Sequence, residues 1–260
     1  MNLRDDLNGQ SVVVFGASRG IGREIANGFI SEGCSVYGFD REPLDEFADA
    51  GFAGFTRGDV ASLTEVEAFA ASLHRVDHVV YSVGIGSGKV GFPFWNVHPA
   101  DWSQVINVNL LGAVHVAHAF APTLAKQRCG SFLFLVSVAG QIGSQTDPPY
   151  SAAKAALINF MQCVAKDLAP MGVRANALSP GMVMTDLNRS VWEATQAALP
   201  SSQQIDYQRW ADEKLRRVSP LGRWQTAEEF AAMAVFLASR FAINITGQTI
   251  NIDGGQVMHS

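Results

Sequence analysis

The chain has 260 residues, 48% hydrophobic and 17% charged, with 24 glycines spread along its length; it therefore reads as a globular chain with a sizeable core, which excludes disorder and collagen-like repeats. A net charge of −5 argues against a nucleic-acid partner, because neutralising phosphates takes a Lys/Arg-rich face. Residues 1–10 hold no apolar leader and no run approaches the ~18 apolar residues of a membrane span, so a cytoplasmic protein with no membrane partner is expected.

The run Ser-Val-Val-Val-Phe over 11–15 is β-branched and apolar, Gly16 closes it, and a helical pattern follows over 21–30: strand, glycine turn, helix. The alternation continues with strands over 35–39 and 54–57, a helix over 63–73 and a strand over 78–83. A long helix over 102–127, a strand over 131–137, a helix over 150–169 and a strand over 173–178 follow, then a helix over 227–239 and a strand over 248–252. Near-continuous apolar strands alternating with helices predict an α/β fold, a doubly wound parallel sheet of about seven strands with helices on both faces. No linker, repeat or low-complexity tract appears, so residues 1–260 are read as a single domain.

The segment at about 182–225 breaks the rhythm. It holds Met182, Met184, Trp192 and Trp210 and has no strand signal, and so long a connection in a compact domain is expected to be a substrate cover. The cysteines Cys34, Cys129 and Cys163 have no CxxC pairing and are expected as buried packing residues. His115 and His118 share a helix face without a nearby carboxylate or cysteine, so no metal site is expected.

Gly16-Ala17-Ser18-Arg19-Gly20-Ile21-Gly22 sits where the first strand turns into the first helix. Glycines there let backbone approach a pyrophosphate, and the helix N-terminus offers free N–H groups and partial positive charge. Asp40 ends the second strand, eighteen positions after Gly22, where a carboxylate accepts hydrogen bonds from the ribose of NAD and repels the 2′-phosphate of NADP. Arg19 and Arg41 work in the other direction, since guanidinium groups hold phosphates; the desolvated carboxylate outweighs them and NAD is expected over NADP.

Tyr150 and Lys154 lie four residues apart, on one face of a predicted helix. A phenol of ordinary pKa about 10 is a poor base near neutrality, and a fixed positive charge beside it favours the phenolate. Ser137 closes the fifth strand thirteen positions earlier, at the sheet edge where ligands bind. Asn109 lies inside the long helix, where an amide has no propensity advantage.

Taken together, GASRGIG, Asp59-Val60 after the third strand, the NVNLLG segment, Ser137 with YSAAK, Ser179-Pro180-Gly181 and the ITGQTINIDGG ending resemble the short-chain dehydrogenase/reductase superfamily over essentially the whole chain. The resemblance implies a Rossmann-like fold and NAD-dependent oxidation of a small secondary alcohol, or reduction of its ketone. Tyr150 would be the general acid/base, Ser137 would orient the substrate oxygen, Lys154 would lower the tyrosine pKa and hold ribose hydroxyls, and Asn109 would keep a water in a proton relay. It further implies that Asp59 and Val60 meet the adenine, Gly84 the adenine ribose region, and Pro180, Gly181, Val183 and Thr185 the nicotinamide. A homotetramer is expected on the same ground.

Two departures bear on bracing: Phe15 stands where the superfamily has threonine, and Tyr81-Ser82-Val83-Gly84 where it commonly has Asn-Asn-Ala-Gly. Phe92, Phe94, Trp95, Met184 and Trp192 are candidates for an apolar pocket, and Gln141, Gln145 and Asp147 for polar substrate contacts. The stretches around Gly38-Phe39-Asp40 and 188–192 are similar to 2,3-dihydro-2,3-dihydroxybenzoate dehydrogenases, which points to a cyclic alcohol, diol or polyol. An NADPH-dependent 3-oxoacyl reductase and a non-catalytic nucleotide-sensing protein are the alternatives.

Overall fold

The computed structural model describes residues 3–44, 51–89, 91–184 and 186–258, the side chains of 186 and 187 excepted. A short helix α1 (Arg4–Leu7) precedes β1 (Ser11–Phe15), α2 (Gly20–Ser31), β2 (Ser35–Asp40), β3 (Phe52–Arg57), α3 (Leu63–Ala71) and β4 (His78–Tyr81). Then come α4 (Trp102–Ile106), a π turn (Asn107–Leu111), α5 (Gly112–Gln127), β5 (Ser131–Leu135), α6 (Pro148–Leu168) and β6 (Arg174–Pro180). Helices α7 (Asp186–Ala197), α8 (Tyr207–Val218) and α9 (Ala227–Ala238) and the strand β7 (Thr249–Ile252) complete the described chain.

The seven strands form one parallel sheet in the order β3-β2-β1-β4-β5-β6-β7. Strand order reverses between β1 and β4, which opens a crevice at their carboxyl ends. Period-two alternation sorts the side chains. Val13 and Phe15 enter the core on one face, with Phe120 of α5 and Leu157 and Met161 of α6. Val12 and Val14 enter the other, with Ile25 and Phe29 of α2 and Phe230 and Val235 of α9. Because both faces are covered, all five β1 residues are buried, which is why the strand reads as an unbroken apolar run.

Phe15 occupies its position as part of an aromatic cluster, with ring centroids 5.1 Å from Phe39 and 5.8 Å from both Phe69 and Phe120. Apolar packing thus replaces the hydrogen bond that a threonine would make there.

The predicted helix over 102–127 is continuous but widens into the π turn at Asn107–Leu111. The span Pro99–Gln127 is long and apolar enough to cross a membrane by length and composition; here its stripe Val105, Val116, Phe120 and Leu124 is buried against the sheet instead.

Segment 182–225 is more ordered than its lack of strand signal led us to expect. It folds as the helical pair α7 and α8, joined by Trp192 Nε1–H donating to Ile205 O at 3.1 Å and by Trp192 edge-on to Tyr207 at 5.7 Å. Two of the three cysteines correct the packing expectation. Cys34 is buried, but Cys129 and Cys163 are exposed, one in the turn after left-handed Arg128 (φ 56°) and the other on the outward face of α6.

Candidate active site

The β1–α2 turn is built by sterics. Gly16 has φ 83°, and a Cβ there would stand 3.0 Å from the Ser82 backbone; a Cβ on Gly22 would stand 2.1 Å from Gly16 O. Only glycine lets the helix descend this closely onto the strand end. Gly20, at φ 59°, has nothing within 4 Å on its Cβ side, and Ile21 anchors the first turn against the core. Arg19 is the N-cap of α2 and its side chain caps nothing, and no acidic residue sits in the first turn. Uncapped N–H groups of a twelve-residue helix above open glycine backbone form an anion cradle, and the turn fits the pyrophosphate of a dinucleotide.

Asp40 ends β2 beside that turn. Its Oδ2 accepts the Ser18 N–H at 3.0 Å and the Ser18 hydroxyl at 2.6 Å, and among the described residues its Oδ1 accepts only the Glu42 N–H, at 3.2 Å. One carboxylate oxygen is thereby fixed and the other keeps acceptor capacity. The Arg41 side chain is turned to Glu42, with 3.7 Å between charges and both largely in solvent, which makes it a weak pair.

Further along the crevice, Asp59 Oδ1 accepts Ala61 N–H at 2.9 Å, and Val60 is buried with its carbonyl 2.9 Å from His115 Nδ1. That contact gives His115 a packing role. On the far side Pro180 pairs with Ile252, a Gly181 Cβ would stand 2.8 Å from Asp253 Cα, and Val183 bridges to Gln225. Thr185 lies outside the described residues.

Asn109, Ser137, Tyr150 and Lys154 converge at the carboxyl ends of β4 and β5. Ser137 lies two residues beyond the end of β5, where its Oγ caps a 3-10 turn by accepting Ala139 N–H at 3.1 Å. The Ser137 hydroxyl faces the Tyr150 phenol, near enough to favour its ionised form. Tyr150 is the third residue of α6, after Pro148 and Pro149, whose missing N–H groups cost nothing in a first turn. Lys154, one turn on, is 2% exposed and donates to Leu135 O at 2.8 Å.

Asn109 is fully buried in the π turn. Its Nδ2 donates to Val105 O and to Ile85 O, each at 2.8 Å, and its Oδ1 accepts Ile85 N–H at 3.2 Å. The amide therefore locks the loop after β4. Gly84 lies between Asn109 and Lys154, so close that its Cβ would stand 3.1 Å from Asn109 Oδ1 and 3.3 Å from Lys154 Nζ.

Burial dominates the proton affinities. It pushes the Tyr150 phenol up to about 12, with the Ser137 hydroxyl opposing and the charge of Asp147 adding to the rise. It pulls the Lys154 ammonium down to about 7. The Lys154 Nζ is 5.6 Å from the Tyr150 ring centroid.

Several expected substrate contacts are committed elsewhere. Asp147 caps α6, and Gln141 donates to Ser179 Oγ and Asn251 Oδ1, both at 2.6 Å, tying the turn after β5 to β6 and β7. Trp192 packs between α7 and α8. Phe92, Phe94, Trp95 and Met184 are 61–71% exposed, a rim and not a closed pocket, and Gln145 is exposed beside them. Sequence reading missed the role of Tyr81. Its hydroxyl donates to Val108 O at 2.5 Å, bracing β4 against the π turn where the superfamily's asparagines are absent. A buried tyrosine at a strand end facing a helix carbonyl is the signal that would have found it.

A doubly wound parallel sheet with a glycine phosphate turn at β1 and a Ser–Tyr–Lys–Asn cluster at its carboxyl edge defines an oxidoreductase that works with a nicotinamide dinucleotide. The chain belongs to the short-chain dehydrogenase/reductase superfamily: a family model described as enoyl-(acyl carrier protein) reductase matches residues 16–257. It is similar to the 3-oxoacyl-[acyl-carrier-protein] reductase FabG of Salmonella typhimurium, with 31% identity over 258 residues, 96% of this chain and 98% of that one. A 3-oxoacyl-[acyl-carrier-protein] reductase of Synechocystis is 32% identical over 265 aligned positions, 97% of this chain and 98% of that one. Among solved structures, the ligand-free aldohexose dehydrogenase of Thermoplasma acidophilum aligns with a TM-score of 0.83 and 26% identity, covering 98% of this chain and 96% of that one.

Proposed function

We propose that the protein transfers a hydride between a small secondary alcohol, or its ketone, and NAD. The convergence of Asn109, Ser137 and Tyr150 with buried Lys154 at the carboxyl edge of the sheet is the observation that carries this reading. Bound NAD would supply the hydride acceptor in oxidation. Gly16, Ser18, Arg19, Gly20, Ile21 and Gly22 would hold the pyrophosphate region, Asp40 the adenosine ribose, with Arg41 at its margin, and Asp59, Val60 and Gly84 the adenine side. Lys154, with Pro180, Gly181, Val183 and Thr185, would border the nicotinamide ribose and ring.

Ser137 Oγ orients the substrate oxygen. Tyr150 takes the hydroxyl proton in oxidation and returns it in reduction, and Lys154 and Asn109 carry the proton onward toward solvent. Asp40 supports NAD: a carboxylate held by Ser18 in a half-buried turn meets a 2′-phosphate with repulsion.

The local resemblance of the stretches around Gly38-Phe39-Asp40 and 188–192 to 2,3-dihydro-2,3-dihydroxybenzoate dehydrogenases, and the likeness of the fold to an aldohexose dehydrogenase, support a cyclic alcohol, diol or polyol. A screen of NAD reduction across polyols, cyclic alcohols, hydroxy acids and hydroxyacyl thioesters tests it, and no turnover with any class overturns it. A second reading, NADPH-dependent reduction of a 3-oxoacyl thioester, draws on the names of the relatives and on the exposed aromatic rim Phe92, Phe94 and Trp95. Higher kcat/KM with NADPH and an acyl thioester would select it. We also infer a homotetramer, to be read by light scattering at micromolar concentration, and a reducing cytoplasmic setting that suits the exposed thiols Cys129 and Cys163.

A further inference from the structure

Asp147 accepts two backbone N–H groups from separate elements. Tyr150 N donates at 3.3 Å, which makes Asp147 the N-cap of α6, and Ser87 N donates at 2.7 Å from the loop after β4. The side chain is 9% exposed. The same loop is bound at Ile85 by Asn109 and at Gly91, whose N–H donates to Thr146 O at 2.9 Å. Asn or Ser caps a helix about as well as Asp does, so capping alone gives no reason for a charge here.

We propose that Asp147 is a positioning residue for proton transfer: its carboxylate clamps the loop after β4 to the first turn of α6, and its charge sets the pH range over which Tyr150 works. The inference rests on Tyr150 as the general acid/base. Among the described residues, the ionisable groups around Tyr150 are Asp147, the N-cap of α6, and Lys154 within α6. Ser137, from the turn after β5, and Asn109, from the π turn, are polar and uncharged. The loop after β4 carries Lys89, whose ammonium is paired with Asp101 at 2.6 Å. Burial is the main cause of the raised proton affinity of Tyr150, and the negative charge of Asp147 adds to it, since a negative charge beside a phenol favours its protonated form. Removing that charge lowers the phenol's proton affinity.

The test is the pH profile of kcat for the Asp147→Asn, Asp147→Ser and Asp147→Glu variants. In Asp147→Asn the rise of alcohol oxidation with pH is expected to move to lower pH by about half a unit or more. Asp147→Ser, which keeps a capping hydroxyl but cannot span to Ser87, is expected to show the same shift with a lower kcat. Asp147→Glu keeps the charge and the profile. A lowered kcat with an unmoved profile in Asp147→Asn overturns the proposal, and so does failure of both uncharged variants to fold, which would leave a structural role alone. Tyr150→Phe in the otherwise unchanged protein separates the two readings: if it is active, the acid/base assignment falls. If it is inactive and the Asp147→Asn profile is unmoved, only the role of Asp147 falls.

Discussion

Both donors of Ser18 converge on a single oxygen of Asp40, the N–H at 3.0 Å and the hydroxyl at 2.6 Å. The carboxylate at the end of β2 is thus tied to the glycine turn itself, so the two halves of the dinucleotide cradle are set by one side-chain contact. Asp40→Ala is expected to reduce kcat/KM for NAD at least tenfold, about 1.4 kcal/mol, and to raise the NADP/NAD ratio. Ser18→Ala loses only orientation and is expected to cost about threefold, about 0.7 kcal/mol. Steady-state kinetics with both cofactors check this, and an unchanged ratio in Asp40→Ala would remove Asp40 from cofactor selection.

Tyr150→Phe removes one oxygen from the site and leaves α6 intact. Turnover is expected to fall by about 10²- to 10⁴-fold, the usual contribution of positioned acid–base catalysis, while NAD binding followed by calorimetry stays within about twofold. Weakened NAD binding of similar size would show instead that the tyrosine holds the cofactor.

Tyr81→Phe tests the bracing of the π turn. Tyr81 is fully buried and its hydroxyl donates to Val108 O, so the variant removes a buried hydrogen bond at an expected cost of about 1 kcal/mol. For a chain of this size the melting temperature should fall by about 2–4 °C per kcal/mol. An unshifted denaturation midpoint would mean that β4 is held to the helix by packing alone.

His78 gives a prediction for acid. It sits at the start of β4 between Ser131 Oγ (2.8 Å) and Gln10 Oε1 (2.6 Å), and burial pulls its pKa down to about 4, with Arg174 pulling the same way and Asp77 and Asp6 opposing. In the unfolded chain it titrates at about 6.5. Between those values the unfolded state binds the extra proton, so the contribution is full above about 6.5 and is lost as pH falls toward 4. The loss is on the order of 2–3 kcal/mol, and His78→Gln should lose correspondingly less between pH 7 and 4.5 in urea titrations. Equal acid slopes for the two proteins would contradict the buried neutral histidine.

Strand and helix periodicity, the glycine turn and the spacing of Ser137, Tyr150 and Lys154 were legible in the residues, because period two, period 3.6 and φ above zero are local constraints. Ser11–Phe15 matched its predicted bounds, whereas the strand predicted over 131–137 ended at Leu135, because Ser137 turns aside to cap the next element. The pair α7 and α8 was illegible as helix. Its apolar residues are sparse and face each other across α7 and α8, a pairing that no single segment displays.

The sequence alone therefore determined the fold class and which residue types stand at the sheet's carboxyl edge, through local backbone preference and hydrophobic pattern. Only the tertiary structure decided what those residues are bonded to: Asp147 to two backbone segments, Asn109 to the loop it locks, Ser18 to Asp40. It also decided their charge states, because desolvation depends on what the rest of the chain packs around a group, and that brings Lys154 to about 7 and Tyr150 to about 12.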